Sequence, residues 1–421
     1  MWLTTRRGDR FSLFFVGLSW NGIIPLPQAS MMDHGMTHSK FTFIDRALAE
    51  RVQQQRLRSL NPLVPEDAVY VRKAGQRLLN FSANDYLGLS KHPALIEAAQ
   101  RYTQDYGTGA TASRLVTGTY EIHQQLEAKL AIACGREAAL LFNSGFQANL
   151  TILSTILDRQ SLVLCDRLIH NSLIQGIVAS GAKFHRYAHQ DLTRLEALLK
   201  KLSSQFDRVM IVSETVFSMD GDRSDIKALI QLANQYNAIL YLDDAHALGV
   251  LGKNGMGLAA FQPEIDLVVG TFGKAFGAFG AFVVCSQKVR DYLINFCPGL
   301  IYTTALPPAV IGAIEAALDL MPELELERQN LTHLAKHLRY HLDQLGYNTA
   351  ASDSQIVPMI LGEEAQTLDL AVWLEKQGIL ATAIRPPTVP SGTARLRFAL
   401  SSQHHSAHLK TLIQAIQTWK L

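Results

Sequence analysis

Five short, uninterrupted apolar runs constrain the fold of this 421-residue chain more than any other feature. The runs are residues 138–142, 162–165, 209–212, 239–242 and 267–269. Amphipathic segments such as 192–202 and 225–236 lie between them. Strands without polar alternation are buried on both faces, as happens when helices cover both sides of a parallel sheet. The sequence therefore predicts an α/β fold with a mostly parallel sheet, and ligand-binding residues just after its strands.

Four segments are predicted along the chain. Residues 1–38 begin with arginines and an apolar run, as a signal peptide does, but no clear cleavage pattern follows, so we expect a disordered extension or an upstream start. Residues 39–83 form an N-terminal helix (about 41–58) and arm, 84–300 a large domain, and 301–421 a smaller α+β domain. That last domain is predicted from helices at 308–320, 324–345 and 405–419 and strands at 356–361 and 394–400.

Composition excludes several classes of function. Lys+Arg 39 against Asp+Glu 37 leaves a net charge of +2, which gives no electrostatic footprint for nucleic acid or an anionic membrane. No apolar run approaches the roughly 20 residues of a membrane-spanning helix. The four cysteines, at 134, 165, 285 and 297, have neither paired spacing nor nearby histidines at ligand spacing. They predict free thiols in the cytoplasm and no metal site.

Glycine is concentrated around one lysine. Eight of the 28 glycines lie between residues 249 and 280, and Lys274 stands among them in the sequence TFGK (271–274), just after an apolar strand. A lone lysine is usually a solvated surface charge. Here the neighbours are apolar, and desolvation lowers the pKa of a lysine and makes its neutral, nucleophilic amine available.

A second polar cluster, DDAH at 243–246, ends the apolar run before it. Consecutive residues of an extended chain point to opposite faces, so Asp243 and Asp244 make a poor chelating pair. Asp243 and His246 could instead serve one planar ligand, with the carboxylate on a protonated ring nitrogen and the imidazole on an oxygen. The alternative is that Asp243 caps the following turn.

A phosphate site is predicted where the first apolar run ends. Gly145 and Phe146 follow that strand and open a helix, so free backbone N–H groups point at a bound anion, and Thr271 adds a hydroxyl beside the lysine. Residues 107–112 match G-x-G-x-x-A but follow no apolar strand, so a dinucleotide site is not predicted. An amine, a ring-nitrogen carboxylate and a phosphate anchor together predict pyridoxal 5′-phosphate (PLP) as the cofactor.

From about residue 80 to 400 the chain resembles the α-oxoamine synthases, which are PLP enzymes of fold type I. The stretches that carry the resemblance are NFSANDYLGL (80–89), DRLIHNS (166–172), ETVFSMDGD (214–222), DDAH (243–246), TFGK (271–274) and TARLR (393–397). Enzymes of this family condense an amino acid with an acyl thioester and release carbon dioxide. The resemblance thus implies an acyltransferase with a large PLP-binding domain and a smaller C-terminal domain.

The resemblance also implies roles for residues around the cofactor ring. Lys274 would be the Schiff-base lysine and Asp243 the partner of the pyridine nitrogen. His246 would bind the phenolic oxygen, His170 would stack on the ring, and Ser218 would lie beside it. Taken without the motif, His170 could equally be a polar residue that starts a helix.

The resemblance assigns the phosphate to both subunits of a homodimer. Backbone groups of Gly145 and Phe146 would hold it together with Thr271. Thr303 or Thr304 would reach it from the other subunit.

The resemblance also implies which residues recognise the substrates. Arg397 would bind the amino-acid carboxylate, although by itself it could be a surface cation on a strand. IRPPTVP (384–390) with GTARLR (392–397) is most similar to the member that joins L-alanine to a pimeloyl thioester in biotin biosynthesis. Arg58, or Arg56, is the candidate for the acyl tail, and coenzyme A and acyl carrier protein both remain open as the thiol carrier.

Two alternatives are weighed against this reaction. Glycine C-acetyltransferase and 5-aminolevulinate synthase share the cofactor residues, and one methyl group in the amino-acid pocket is worth only about 1–3 kcal/mol of discrimination. A catalytically silent scaffold subunit of the same fold is the non-enzyme alternative, and the presence of Lys274 in its motif argues against it.

Overall fold

The computed structural model describes residues 40–419, so the extension predicted for 1–38 lies outside the described residues. The chain divides into two compact units, Met1–Gln54 and Gln55–Leu421. In the first, helix α1 (Thr42–Gln53) is shorter than the predicted 41–58. It ends there because Gln55 has a left-handed backbone (φ 54°), which an α-helix cannot include.

The second unit alternates helices and strands. Its helices are α2 (Pro93–Tyr106), α3 (Glu121–Ala133), α4 (Gly145–Ile156), α5 (Asn171–Ser180), α6 (Leu192–Leu202), α7 (Ile226–Gln235), α8 (Gln287–Phe296), α9 (Pro298–Ile301), α10 (Pro308–Leu320), α11 (Glu325–Gln344), α12 (Glu364–Lys376) and α13 (Ser406–Gln417). Its strands are β1 (Val64–Pro65), β2 (Tyr70–Lys73), β3 (Gln76–Asn80), β4 (Ala138–Phe142), β5 (Ser161–Asp166), β6 (Lys183–Tyr187), β7 (Arg208–Glu214), β8 (Ile239–Asp243), β9 (Leu267–Thr271), β10 (Ala281–Cys285), β11 (Ile356–Gly362), β12 (Ile379–Leu380), β13 (Thr382–Ile384) and β14 (Ala394–Ala399).

Seven strands form the central sheet, in the order β4-β10-β9-β8-β7-β5-β6. All are parallel except β10, which pairs antiparallel with both β4 and β9. Alternate residues of β5 feed two separate cores: Leu162 and Leu164 pack in one, Val163 and Cys165 in the other. Both faces of the sheet are therefore covered, and the predicted α/β fold with a mostly parallel sheet is confirmed.

Polar side chains fix where the helices of this sheet begin. Ser144, Asp191, Asp225 and Ser286 each accept a hydrogen bond from a backbone N–H in the first turn of α4, α6, α7 and α8. Such caps satisfy N–H groups that have no partner inside the helix. The turn between β4 and α4 is thereby held with the helix N-terminus facing the carboxyl edge of the sheet.

Two smaller sheets complete the unit. The antiparallel sheet β11-β14-β13 contains the two strands predicted near 356–361 and 394–400. The sheet β1-β2-β3-β12 joins the N-terminal arm to the C-terminal part, because β12 pairs in parallel with β3. The division into domains at residues 83 and 300 stays a prediction.

The structure shows the state of the cysteines and the character of the helices. Cys134, Cys165, Cys285 and Cys297 are all buried free thiols. Among residues 40–419, no helix is long and apolar enough to cross a membrane. Within the same residues, no group of three or more His, Cys, Asp or Glu side chains is arranged to hold a metal ion.

Candidate active site

A cavity of about 160 Å³ opens where β4, β5, β7, β8 and β9 end. Parallel strands bring their carboxyl ends to one edge of the sheet, so residues far apart in the chain meet there. Seven of the predicted site residues line this cavity: Gly145, Phe146, His170, Asp243, His246, Thr271 and Lys274.

Lys274 lies in the turn after β9, where its carbonyl accepts a hydrogen bond from Gly277 N–H at 2.9 Å. Its side chain is half-buried and faces the cavity. Desolvation lowers the pKa of the amine to about 8, although Asp243 and Glu214 raise it. More of the amine is therefore neutral and nucleophilic near neutral pH than in an ordinary lysine, as predicted from its apolar neighbours.

Asp243 ends β8 and is held from two sides. One carboxylate oxygen accepts a hydrogen bond from Asn149 Nδ2 at 2.7 Å, and the other accepts from Ala245 N–H at 3.0 Å. Tyr241 OH donates to Asn149 Oδ1 at 2.8 Å, which fixes the amide of Asn149. Asp243 thus caps the following turn and also lines the cavity, so the two interpretations of the sequence are compatible.

Asp244 points away from the cavity, as the alternation of an extended chain predicts. Its carboxylate accepts hydrogen bonds from the Thr215 hydroxyl and from Ala259 N–H. Burial raises the pKa of Asp244 to about 7, although those hydrogen bonds lower it. It is a structural acid that secures the loop after β8.

His246 is buried beside the cavity. Its Nδ1 lies 2.7 Å from Tyr86 OH, and its carbonyl accepts from Gln355 Nε2 at 2.7 Å. Burial, reinforced by the charges of Lys274 and Arg397, lowers the pKa of His246 well below its usual range. The imidazole is therefore neutral, and Nε2 is the ring nitrogen not engaged by Tyr86.

His170 is the N-cap of α5. Its Nδ1 lies 2.7 Å from Ser172 Oγ, and its backbone N–H donates to Glu214 Oε1 at 2.5 Å. Burial lowers the pKa of His170, which Asp243 partly counteracts. Burial also raises the pKa of Glu214 well above its usual range. His170 is thus both a helix-starting residue and a cavity residue.

The N-terminus of α4 forms an anion cradle with Thr271. A Cβ built on Gly145 would lie 3.7 Å from Thr271 Cβ, so the first turn of the helix and the end of β9 are in close proximity. Thr271 Oγ1 donates to Gly280 O at 3.0 Å and accepts from Gly273 N–H at 3.3 Å. The helix dipole and free N–H groups favour a phosphate at this point.

Arg397 is a buried cation on β14. Its Nε donates to Ser218 O at 2.6 Å and its Nη1 to Asn84 Oδ1 at 3.1 Å. Its Nη2 lies 3.4 Å from Tyr86 OH, which in turn bonds to His246. Within residues 40–419, no carboxylate forms an ion pair with this guanidinium. A buried guanidinium without an acidic partner is suited to an anionic ligand.

The remaining predicted residues lie outside the lining of the cavity. Thr303 Oγ1 and Thr304 O both accept hydrogen bonds from Asn143 Nδ2, at 3.1 and 3.0 Å. Arg58 Nη2 donates to Thr388 Oγ1 at 2.8 Å. Arg56, by contrast, pairs with Glu364 at 2.9 Å. The roles given to Thr303, Thr304 and Arg58 stay predictions.

Three contributors to the site were missed by the sequence analysis. Glu214 ends β7 as Asp243 ends β8, so a carboxylate at a strand end was an available signal. Tyr86 lies within the quoted NDYLG stretch but was given no role. Asn149 is a polar residue on the buried face of α4, and only the tertiary structure shows that it faces Asp243.

Comparison with known proteins identifies the family. The family model "Aminotransferase class I and II" matches residues 76–416. The chain belongs to the aminotransferase class I and II family. Among its relatives in that family, 8-amino-7-oxononanoate synthase of Gluconacetobacter diazotrophicus is 49% identical over 382 residues, 89% of this chain and 96% of that protein.

Solved structures of other proteins agree with the fold. A structure of SPT with PLP has a TM-score of 0.85 and 27% identity, and the match covers 90% of this chain and 98% of that one. The crystal structure of 8-amino-7-oxononanoate synthase from Francisella tularensis has a TM-score of 0.70 and 30% identity, covering 81% and 96%.

These relationships confirm the predicted fold type I, the cofactor PLP and an enzyme of the acyltransferase kind. The residues of this chain fit PLP on their own chemistry. An amine with a depressed pKa, a carboxylate at a strand end and a helix N-terminus beside a threonine surround one cavity. A catalytically silent scaffold subunit would need none of these three groups.

Proposed function

We propose that the enzyme condenses L-alanine with a pimeloyl thioester to give 8-amino-7-oxononanoate, carbon dioxide and the free thiol, in cytoplasmic biotin biosynthesis. The observation that carries this choice is 49% identity to an 8-amino-7-oxononanoate synthase over 96% of its length. The buried, acid-free Arg397 beside the cavity supports an amino acid as one substrate.

In this proposal the cofactor would be held at three points. Lys274 would bind its aldehyde carbon, and Asp243 would keep a proton on the ring nitrogen. Gly145 and Phe146 N–H groups would hold the phosphate with the Thr271 hydroxyl. When bound, PLP supplies an electron-withdrawing ring that acidifies the α-hydrogen of an attached amino acid.

Two histidines and a serine position that ring. His170, exposed to the cavity, would cover one face of the ring. His246 would use Nε2 for the phenolic oxygen, because Nδ1 is engaged by Tyr86. Ser218, in the turn whose carbonyl holds Arg397, would lie beside the cofactor.

Arg397 and Lys274 are proposed to act on different groups of the amino-acid substrate. The guanidinium binds and orients the amino-acid carboxylate. The Lys274 amine would remove the α-proton as general base, and its pKa of about 8 suits this task near neutral pH. In the overall reaction the α-carbon bonds to the thioester carbonyl as the thiol leaves, and the carboxylate leaves as carbon dioxide and is replaced by a proton.

Arg58 is proposed to recognise the acyl tail. It is hydrogen-bonded to Thr388 of the IRPPTVP segment, which the sequence analysis associated with the pimeloyl-using member. Arg385 of the same segment donates to Gln55 O. Two cations therefore lie on neighbouring segments, and burial and the charge of Arg58 lower the pKa of Arg385.

The active enzyme is proposed to be a homodimer in which Thr303 or Thr304 completes the phosphate site of the partner. Leu115, Val116 and Tyr302 support an interface in this region. They are 53%, 74% and 84% exposed, and the isolated bridge between Ser113 and Thr304 brings their segments together. Exposed apolar side chains that cluster in this way are typical of protein contacts.

Steady-state assays test the reaction. L-alanine and glycine are each offered with pimeloyl-, acetyl- and succinyl-coenzyme A, and release of free thiol is followed. We expect the highest kcat/KM for L-alanine with the pimeloyl thioester, and no turnover by Lys274→Ala. A preference for glycine with a short acyl group would overturn the proposal in favour of a sister activity.

A further inference from the structure

His189, in the loop after β6, bridges two buried carboxylates outside the cavity. Its Nδ1 lies 3.0 and 3.1 Å from the two carboxylate oxygens of Asp166, and its Nε2 lies 2.7 Å from Asp222 Oδ2. Asp166 is 1% exposed and Asp222 4%. The ring edge also packs against Phe217, with centroids 4.4 Å apart.

Both ring nitrogens of His189 face carboxylate oxygens. A neutral imidazole has one N–H, so only the imidazolium donates to both carboxylates at once. Burial lowers the pKa of His189, but the hydrogen bonds to Asp166 and Asp222 outweigh it and raise the pKa to about 10. The bridge is therefore charged throughout the physiological range.

One arm of the bridge orders the turn that carries His170. Asp166 ends β5, and its Oδ1 accepts from Leu168 N–H at 2.7 Å. Its Oδ2 accepts from Gln190 N–H at 2.8 Å, which ties the same carboxylate to the loop of His189. Four residues after Asp166 the chain reaches His170 at the cavity.

The other arm orders the turn that holds Arg397. Phe217 N–H donates to Asp222 O at 3.0 Å and so closes the turn from 217 to 222. Within that turn, Ser218 O accepts from Arg397 Nε at 2.6 Å, and Asp220 accepts from Arg395 Nη1 at 2.7 Å. Asp222, at one end of this turn, is bound by His189. Ser218, near the other end, binds the Arg397 guanidinium and orients it.

We propose that His189 is a positioning residue for the amino-acid substrate, acting as a fixed imidazolium that joins the His170 turn to the Arg397 turn. It touches neither substrate nor cofactor. Its effect reaches the carboxylate of the amino acid through Asp222, the turn 217–222 and Arg397. This inference rests on the proposed role of Arg397 and deepens it.

The test is a titration of the PLP-loaded enzyme with L-alanine, followed by the visible absorption of the cofactor. In His189→Gln, the amide carries no charge and has its N–H donors on one nitrogen instead of two, and the dissociation constant for L-alanine is expected to rise about tenfold, as for loss of a charge-assisted hydrogen bond. The PLP content and the KM for pimeloyl-coenzyme A are expected to stay at the wild-type values, which a general loss of structure would not allow.

Lys183→Gln is the matched control. Lys183 is exposed on β6, so this change removes one positive charge from the strand that precedes the loop of His189, without touching the bridge. It is expected to bind L-alanine like the wild type. The inference would be overturned if His189→Gln bound L-alanine with wild-type affinity. An equal rise in the KM for L-alanine and the KM for pimeloyl-coenzyme A would overturn it too. A wild-type enzyme that gives no response to L-alanine would overturn the proposed function instead.

Two further variants test the Asp222 arm and the Asp166 arm separately. They also test the inference if His189→Gln does not fold. Asp222→Asn is expected to weaken L-alanine binding as His189→Gln does, because it breaks the arm that leads to Arg397. Asp166→Asn breaks the arm that leads to His170, so it is expected to shift the visible absorption with a smaller loss of affinity. The reverse pattern contradicts the proposed route.

Discussion

The amine of Lys274 has a pKa of about 8, lowered from the ordinary lysine value of 10.5 chiefly by burial. Only the neutral amine attacks an aldehyde, so the rate at which the apoprotein captures PLP should rise with pH and level off above about 8. The measurement is the growth of visible absorption after mixing, from about pH 6.5 to about 9.5. A rate still rising steeply at the upper end would show that the amine titrates like an exposed lysine.

At the same scale, the sequence predicts residues whose signal is local. Lys274, Asp243 and Gly145 each come at or shortly after the end of an apolar run, so their place at the sheet edge could be predicted. The partners of Arg397 could not, because Asn84 and Ser218 come from segments more than a hundred residues apart, and spacing along the chain carries no information on that distance. The fixed geometry of the site arises from these long-range contacts.

At the scale of elements, five strands of the central sheet were predicted and two, β6 and β10, were not. β6 (sequence KFHRY) is an edge strand whose residues are mostly exposed or half-buried, so it lacks the continuous apolar character of its neighbours. β10 is fully apolar and lies just after the glycine-rich turns. Its antiparallel direction depends on the turn from Gly273 to Gly280, which no hydrophobic pattern reveals.

That turn supplies a prediction about stability. Gly277 has φ 62°, and a Cβ there would lie 2.4 Å from Ser90 N, whereas Gly75 has φ 84° with nothing within 4 Å of its Cβ. Gly75→Ala should therefore cost about 1 kcal/mol of unfolding free energy for backbone strain alone. Gly277→Ala should cost about 1–3 kcal/mol more, because backbone must move to admit the methyl group.

Urea unfolding of the two variants, with PLP content measured alongside, checks this expectation. Gly277 N–H holds the carbonyl of Lys274, so Gly277→Ala should also lose cofactor, while Gly75→Ala keeps it. An equal loss of unfolding free energy in the two variants would mean that the backbone at Ser90 moves at little cost. The turn would then not be tightly packed.

At the scale of the whole molecule, the proposed homodimer predicts that association and activity are lost together. Val116→Asp places a charge in the exposed apolar cluster around Tyr302, so the variant should sediment as a single chain. It should also be inactive, because Thr303 and Thr304 no longer reach a partner. Val372→Asp on α12 is the control, since Val372 is 53% exposed but belongs to a different part of the chain.

Sedimentation velocity and the thiol-release assay on the same samples make the comparison. Full activity in a Val116→Asp monomer would show that each chain completes its own phosphate site. A wild-type protein that sediments as one chain and turns over would have the same meaning.

The position of β4 determines when the phosphate site can form during synthesis of the protein. Within the described chain its one neighbour in the central sheet is β10, with Phe142 opposite Ala281. On the ribosome, the phosphate-binding turn after β4 must therefore wait until well over a hundred further residues have emerged before its strand finds a place. A nascent chain that ends before β10 has no finished pocket, so we expect vitamin B6 to be captured only after this strand has emerged.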